Sequence, residues 1–474
     1  MIFTSLQFVE FFAVVYLLYR VLPHRGQNWM LLGASYVFYG FWDWRFLSLL
    51  WGSTIVDFLV ARYLGRETDQ GKRRTALVLS LLFNFGMLGF FKYFNFFEDS
   101  LVVMAGWVGW HLDPLTLNVL LPIGISFYTF MTVSYVIDVY RRDIVPTTHL
   151  ADFALFVAYF PHLVAGPILR ASLLLPQIEK PRTITREQIV GGLWLIGWGC
   201  FQKMFVADNL APLVDTVFGP AATPGGADIL VASWAFAFQI YGDFAGYSNI
   251  ARGVSKLMGI ELNVNFLFPY FVTSPQEFWR HWHISLSTWL RDYLYISLGG
   301  NRLGTWKTYR NLMITMVLGG LWHGAAWTFV FWGAYQGLML VIGRAFGAGR
   351  NVASEPQAFR PGVSRIVAAF LMFQVTCYGW LIFRAESIQQ VGTFTRRLFT
   401  GFNPTIATLD SLLVPMLWVV VPLLIVHIAQ ARQGSESAPV SWPLPVRYAL
   451  YGAVFYLVLL FGDFEGAQFI YFQF

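Results

Sequence analysis

Apolar stretches of membrane-spanning length fill this 474-residue chain from its first residues to its last. A helix needs about 20 mostly apolar residues to cross a bilayer, and about ten stretches approach that length. Only 12% of the residues are charged, whereas 57% are hydrophobic, which is typical of a membrane protein. We therefore predict an all-α, polytopic transmembrane protein, embedded in a lipid bilayer and folded as one domain over residues 1–474. The apolar runs cover residues 3–22, 28–42, 46–63, 75–91, 116–140, 151–169, 189–211, 229–250, 312–343, 364–383, 411–430 and 446–462.

Basic residues in the loops predict the orientation, because cytoplasmic loops are enriched in Lys and Arg. Arg20, Arg25 and the basic loop 61–74 indicate a cytoplasmic side there, so the N-terminus is predicted to be periplasmic. Runs 151–169 and 312–343 are each followed and preceded by basic loops. A segment that enters and leaves on one side must turn within the membrane. We predict that 151–169 is re-entrant and that 312–343 bends back on itself.

The net charge of +6 does not indicate nucleic-acid binding, because the basic residues are spread over short loops between apolar runs. The two cysteines, Cys200 and Cys377, lie inside apolar runs without metal-type or redox-type spacing, which favours a packing role. No internal repeat is visible, and this argues against secondary transporters that are built from repeats.

A helix start is encoded at residues 274–277, where serine, proline and glutamate occupy the N-cap, first and third helical positions. We predict one helix from there towards Tyr295, lying at the inner membrane interface. Its apolar and aromatic stripe contains Trp279, Trp282, His283, Leu286, Trp289, Leu290 and Tyr293. Such a helix often serves only as an interfacial anchor. A histidine on its apolar stripe favours a functional role instead.

His323 lies inside an apolar run, with glycine or alanine one helical turn to either side. An ionisable side chain inside a membrane is costly and is therefore a candidate functional residue. A neutral imidazole there can act as a general base that removes a proton from a hydroxyl. The alternative is a structural histidine that is hydrogen-bonded to a backbone carbonyl of a neighbouring helix.

A metal site is the competing interpretation of the histidines, because His281 and His283 flank a tryptophan and His162 and His323 lie elsewhere in the chain. Residues two apart on a helix point to different sides, and no cysteine or carboxylate completes a recognisable ligand set. We therefore predict no metal. No phosphate-binding glycine loop and no serine nucleophile elbow is present in a credible context either.

Five long motifs resemble the membrane-bound O-acyltransferase family, in particular its bacterial branch that acetylates alginate or exports D-alanine to teichoic acids. They are residues 121–128 (LPIGISFY), 134–141 (SYVIDVYR), 160–167 (FPHLVAGP), 277–302 and 379–386 (GWLIFRAE). The aromatic C-terminal segment is also similar to alginate-type members. The resemblance extends over nearly the whole chain.

This resemblance implies that acetyl-CoA on the cytoplasmic side gives its acetyl group through a tunnel to an acceptor outside the inner membrane. His323 matches the family's central catalytic histidine, and His283 matches a second one near the cytoplasmic entrance. No bound cofactor is implied. The family pattern further suggests substrate-contacting or tunnel-lining residues, namely Trp279, Arg280, Trp282, Ser287, Asp243, Tyr247, Asn249, Trp322 and Trp327.

Two positions depart from the alginate-type pattern: Gln336 replaces a frequent histidine, and Asn249 replaces a frequent aspartate. The acceptor therefore stays open between exopolysaccharides such as alginate and cellulose, reached directly or by relay through a periplasmic acetyltransferase or acceptor protein. Two functions without acyl chemistry also remain as alternatives. One is a polysaccharide or lipid transporter or channel, and the other is a scaffold for a polysaccharide synthase.

Overall fold

The computed structural model describes the chain except for residues 114, 116, 118, 119, 165, 348–361, 465–468 and 471–474. The described part consists of α-helices with short π-helical and 3-10 turns, and it contains no β-strand. Seven helical segments in it are long and apolar enough to cross a membrane. The predicted all-α, polytopic transmembrane fold is confirmed. The seven segments are His24–Arg66, Gln70–Trp107, Arg186–Phe218, Gly226–Leu257, Val363–Arg384, Ile406–Gln433 and Leu444–Phe461.

Contacts within the chain define two compact units. The first unit comprises residues 1–185 and 255–262, and the second comprises residues 186–254 and 263–474. A single domain over residues 1–474 stays a prediction.

The first unit is a set of helices that pack around buried polar side chains. Helices α3, α4 and α6 contact one another, and Ser80 and Asn84 donate hydrogen bonds to the buried carboxylate of Asp57 at 2.6 and 3.0 Å. The helices are α1 Leu6–Val21, α2 His24–Asp43, α3 Leu47–Arg66, α4 Gln70–Leu88, α5 Phe94–Trp107, α6 Ile125–Arg141, α7 Leu150–Ala158, α8 Phe160–Leu163 and α9 Ala171–Glu179.

The run 151–169 is broken, as predicted, because α7 and α8 are both too short to cross a membrane. Pro161 lies in the first turn of α8. Gly166 packs so closely on this turn that a Cβ atom there would lie 2.3 Å from the Cα atom of His162. The ring of His162 is bound to the carbonyl of Phe156 through Nε2 at 3.0 Å. The return of this segment to the same side of the membrane stays a prediction, and Ala165 of its motif lies outside the described residues.

The second unit contains the remaining helices and both candidate catalytic histidines. Its helices α10 and α12 approach closely through glycines: a Cβ atom on Gly199 would lie 2.6 Å from the carbonyl oxygen of Gly246. Small residues allow such backbone contact between membrane helices. The helices are α10 Arg186–Cys200, α11 Asp208–Phe218, α12 Gly226–Leu257, α13 Pro275–His281, α14 Ile284–Trp289, α15 Thr305–His323, α16 Trp327–Ala345, α17 Val363–Arg384, α18 Ile388–Thr400, α19 Ile406–Thr408, α20 Val414–Gln433 and α21 Leu444–Phe461.

The predicted bend in 312–343 is confirmed, because α15 ends at His323 and α16 begins at Trp327. The two helices pack against each other as a hairpin. A Cβ atom on Gly320 would lie 2.2 Å from the carbonyl oxygen of Phe329, so glycine is needed for this close crossing. The hairpin turn therefore places His323 at the end of its helix, rather than in the middle of a continuous span.

The prediction of one helix from Ser274 towards Tyr295 is wrong beyond His281. The start is confirmed, because the Ser274 hydroxyl accepts a hydrogen bond from the Glu277 N–H at 3.2 Å. The helix then stops, and His283 adopts a left-handed conformation with φ of 42° before α14 begins. A neighbouring irregular segment binds the backbone groups at this break: Leu267 N–H donates to the His281 carbonyl at 3.0 Å, and Ile284 N–H donates to the Asn265 carbonyl at 2.9 Å.

Four of the described helices lie outside both the predicted runs and the helix predicted from Ser274, namely α5, α9, α18 and the short α19, which precedes the run 411–430. Helix α5 follows the π-helical turn Gly89–Tyr93. The polar residues Lys92, Asn95, Glu98 and Asp99 end the predicted apolar run at residue 91. Helix α9 contains Pro176, and α18 is strongly amphipathic rather than apolar, so neither produces a hydropathy peak. Helix α11 also extends to Phe218, beyond the end of the predicted run 189–211.

Candidate active site

His323 is enclosed by aromatic rings at the turn of the α15–α16 hairpin. Its side chain is buried, with a residue exposure of 3%. The ring centroids of Trp322, Trp332 and Phe383 lie 5.1, 5.0 and 5.5 Å from its own, all at steep interplanar angles. Edge-to-face contacts of this kind hold a ring in one orientation. The structure therefore presents the His323 ring within an aromatic environment.

His283 is fully buried and is oriented by a residue that the sequence analysis did not identify, Asn265. Nδ1 of His283 lies 3.2 Å from Oδ1 of Asn265. The same Oδ1 accepts hydrogen bonds from the backbone N–H and the hydroxyl of Ser285, at 3.2 and 2.9 Å. Because a backbone N–H can only donate, the amide atom facing it must be the oxygen. Nδ1 of His283 therefore carries the proton, and Nε2 carries the lone pair.

Burial also lowers the pKa of His283, which lies outside the membrane-spanning segments, to about 3. Its ring contacts Phe244 of α12 at a centroid distance of 4.6 Å and an interplanar angle of 82°. The imidazole is thus held neutral, with a defined tautomer and a fixed ring plane. These are the properties of an acceptor or positioning group, and they are not needed by an interfacial anchor that only contacts headgroups.

Trp322 joins the two histidines. Its indole ring lies 5.1 Å from the ring of His323 and 6.0 Å from the ring of His283. Two histidines that are 40 positions apart in sequence thus both contact one indole ring, and the structure brings His323, His283 and Trp322 into one site.

Other predicted site residues extend the aromatic cluster or lie at its margin. Trp282 packs on Trp380 at 4.7 Å, and Trp279 packs on Trp332 at 5.9 Å, so both belong to the cluster that surrounds His323. The Ser287 hydroxyl donates to the Trp279 carbonyl at 2.6 Å and so joins α14 to α13. Arg280 and Trp327 are exposed. Their proposed contacts with substrate stay predictions.

Asp243 and Tyr247 lie on α12 and contact the C-terminal segment. The Asp243 carboxylate accepts the Ile470 N–H at 2.7 Å and pairs with Lys203 at 2.7 Å. The Tyr247 ring lies 4.7 Å from the ring of Phe469, which also contacts Phe244, the aromatic neighbour of His283. Tyr247 is therefore linked to His283 through the rings of Phe469 and Phe244. Of the aromatic C-terminal segment, residues 465–468 and 471–474 lie outside the described residues.

Asn249 belongs to a buried polar chain. Its amide donates to Gln202 Oε1 at 2.8 Å, and its oxygen accepts from Arg252 at 3.1 Å. Arg252 in turn pairs with Glu436. The side-chain oxygen of Asn249 thus serves as an acceptor for Arg252. A tunnel-lining role for Asn249 stays a prediction. Gln336, the other departure from the family pattern, is buried on α16 against Gly379.

The described residues contain no cluster of three or more His, Cys, Asp or Glu side chains arranged to hold a metal ion. His281 and His283 do not face each other: Nδ1 of His281 contacts the Leu267 carbonyl, whereas Nδ1 of His283 contacts Asn265. Asn265 could not be predicted as a site residue, because it lies in an irregular segment without periodicity. Trp380 and Phe383 were present in a recognised motif, but nothing in that motif indicated that they contact the histidine cluster.

Several known proteins resemble this chain over most of its length. Residues 38–383 match the model of the membrane-bound O-acyltransferase family. A probable alginate O-acetylase from Azotobacter vinelandii is 44% identical over 416 residues, covering 87% of this chain and 80% of the relative. A protein of the same name from Pseudomonas aeruginosa is 45% identical over 405 residues, covering 84% and 75%. A peptidoglycan O-acetyltransferase from Helicobacter pylori is 34% identical over 418 residues, covering 81% and 77%.

Proposed function

Because this chain belongs to the membrane-bound O-acyltransferase family, we propose that it takes acetyl groups from cytoplasmic acetyl-CoA and passes them across the inner membrane. Membership of an acyltransferase family favours acyl chemistry over the alternatives of a transporter, a channel or a scaffold. The donor, the direction of transfer and the periplasmic N-terminus rest on the basic loops and on the family resemblance. Acetyl-CoA is a substrate in this scheme, and no bound cofactor takes part.

The observation that carries the proposal is the buried pair of histidines that share Trp322. In the proposed step, His323 removes the proton from the acceptor hydroxyl as its oxygen attacks the thioester carbonyl carbon. A carbon–oxygen bond forms and the carbon–sulfur bond breaks. The proton on His323 then passes to the departing thiolate of coenzyme A, so the imidazole returns to its neutral form.

His283 is proposed as the second catalytic or positioning group. Its Nε2 lone pair is presented by the Asn265 and Ser285 hydrogen bonds, as a base is oriented by a third residue in other acyl-transfer enzymes. A neutral acceptor at that position can bind a hydroxyl or N–H group of the donor near the cytoplasmic entrance. It can do so without a change in its own charge.

The acceptor is proposed to be an exopolysaccharide such as alginate or cellulose. Transfer is proposed to run by relay through a serine-type hydroxyl on a periplasmic acetyltransferase, rather than directly to the sugar. The support is that two relatives are named alginate O-acetylases and a third is named a peptidoglycan O-acetyltransferase. The first two names describe O-acetylation of alginate, and the third describes O-acetylation of peptidoglycan.

The test uses the full chain in membrane vesicles with labelled acetyl-CoA. His323→Ala should lose at least about 100-fold in acetyl release and transfer, because positioned general bases contribute about that much or more. His427→Ala is the matched control, because His427 is also a buried histidine of the second unit, with an exposure of 4% and a Tyr241 hydroxyl as partner. Equal amounts of both variants in the membrane and retained transfer by His323→Ala would contradict the catalytic role.

A further inference from the structure

Helices α12, α17 and α20 form an apolar groove in the second unit, separate from the histidines. The groove has a volume of about 520 Å³, which lies in the range of ligand sites, and its lining includes Trp234, Ala369, Phe370 and Met416. Phe370 is 56% exposed although it lies in a predicted membrane span. An exposed apolar side chain within a span faces lipid, so the groove opens towards the bilayer.

Arg432 lies at one end of the groove and is the only cationic side chain among the described residues that line it. Along α20 the lining residues recur every four positions from Met416 to Arg432, which corresponds to a length of ~24 Å at ~1.5 Å per residue. Arg432 is exposed and lies in the last turn of the helix. The nearest acidic residue along the chain, Glu436, is already paired with Arg252. The groove therefore combines an apolar channel of acyl-chain length with a positive charge where that channel ends.

We propose that this groove binds one phospholipid molecule, with an acyl chain between α17 and α20 and the phosphate on Arg432. An arginine binds phosphate oxygens through paired, charge-assisted hydrogen bonds, and membrane proteins hold lipid headgroups on basic residues at helix ends. The length of the groove fits an acyl chain, and the charge of Arg432 fits a phosphate group. A neutral apolar molecule would fill the groove but would make no charged hydrogen bond with Arg432. The inference is independent of the acyl donor and acceptor proposed above.

The experiment measures phosphatidylglycerol binding to the purified, delipidated full chain by native mass spectrometry. The wild type should bind one molecule more tightly than all later ones. Arg432→Gln should weaken this first binding step about tenfold, because it removes a charged hydrogen bond, and Arg432→Lys should restore part of it. Arg66→Gln is the control, since Arg66 is also exposed in the last turn of a membrane helix but does not line the groove.

A second variant tests the channel itself. Ala369 is buried at the groove wall, with an exposure of 8%, and Ala369→Trp should fill the channel and abolish the tight first step while Arg432 is retained. The proposal is overturned if Arg432→Gln binds phosphatidylglycerol like the wild type. It is also overturned if the mass spectrum shows a lipid-free dimer that Ala369→Trp dissociates, because a second copy would then cover the groove.

Discussion

Replacing Asn265 tests whether His283 acts through its Nε2 atom. Asn265 is buried, with an exposure of 1%, and its Oδ1 accepts hydrogen bonds from the His283 ring, the Ser285 N–H and the Ser285 hydroxyl. Asn265→Ala leaves these three buried donors without their acceptor. Each such donor costs about 1–3 kcal/mol, and single substitutions rarely exceed about 5 kcal/mol. We therefore expect a loss of about 3–5 kcal/mol in the free energy of unfolding.

Asn265→Asp separates the orientation of His283 from the stability of the protein. A carboxylate keeps the acceptor for all three donors, and its charge strengthens the hydrogen bond to Nδ1–H and raises the pKa of His283. We expect this variant to fold and to retain transfer, with the acid limb of its pH–rate profile moved towards higher pH. Asn265→Ala should lose about 100-fold in the rate of transfer, as expected when a reacting group is misplaced by about 1 Å.

The assay combines thermal unfolding with acetyl transfer at matched protein amounts over a range of pH. A purely structural asparagine would lower the melting temperature in both variants and leave the pH profile of the surviving activity unchanged. That result, or a wild-type rate in Asn265→Ala, would refute the assignment of Nε2 as the acting atom of His283.

Two further predictions concern charge. Lys203 is buried between Asp208 and Asp243, with its Nζ 2.7 Å from a carboxylate oxygen of each. Lys203→Met leaves both carboxylates without their cation and should lower the free energy of unfolding by about 3–5 kcal/mol. Adding Asp208→Asn and Asp243→Asn should restore most of that free energy, as measured by chemical unfolding. Burial holds the pKa of His283 at about 3, below its usual 6.5, so the unfolded chain binds a proton there first as the pH falls. As the pH falls from 7 to 5.5, the free energy of unfolding of the wild type should decrease by about 1 kcal/mol more than that of His283→Gln, and this loss should continue to about pH 3. The same dependence of unfolding free energy on pH in both proteins would contradict this.

The parts of the fold that the sequence predicted are those encoded by hydropathy and loop charge. The bend in 312–343 followed from basic loops at both ends, and the structure adds the reason that the turn can be so tight: Gly320 and Gly333 allow backbone contact between α15 and α16. Helix α18 was missed for the converse reason. Its apolar residues occupy only one face, so a hydropathy average over the segment stays low.

The helix break in the candidate site could not be predicted from the local sequence pattern. The stripe from Trp279 to Tyr293 was recognised on the assumption of one continuous helix, and every member of it is buried, although the helix breaks at His283. Periodicity identified which side chains turn inward, but the break depends on hydrogen bonds to residues 265–267. No window of sequence around His283 contains those partners.

The break has a functional consequence under the proposed mechanism. In a continuous helix, the N–H of Ser285 would donate to the carbonyl four residues earlier. That N–H would then not be available to Oδ1 of Asn265. The left-handed turn at His283, a conformation that costs about 1–3 kcal/mol for a residue other than glycine, instead turns that N–H towards Oδ1 of Asn265. The N–H fixes the orientation of the amide, the amide fixes the tautomer of the imidazole, and the lone pair is left on Nε2. The left-handed backbone of His283 thus helps to keep its neutral imidazole in one tautomer, with the proton on Nδ1.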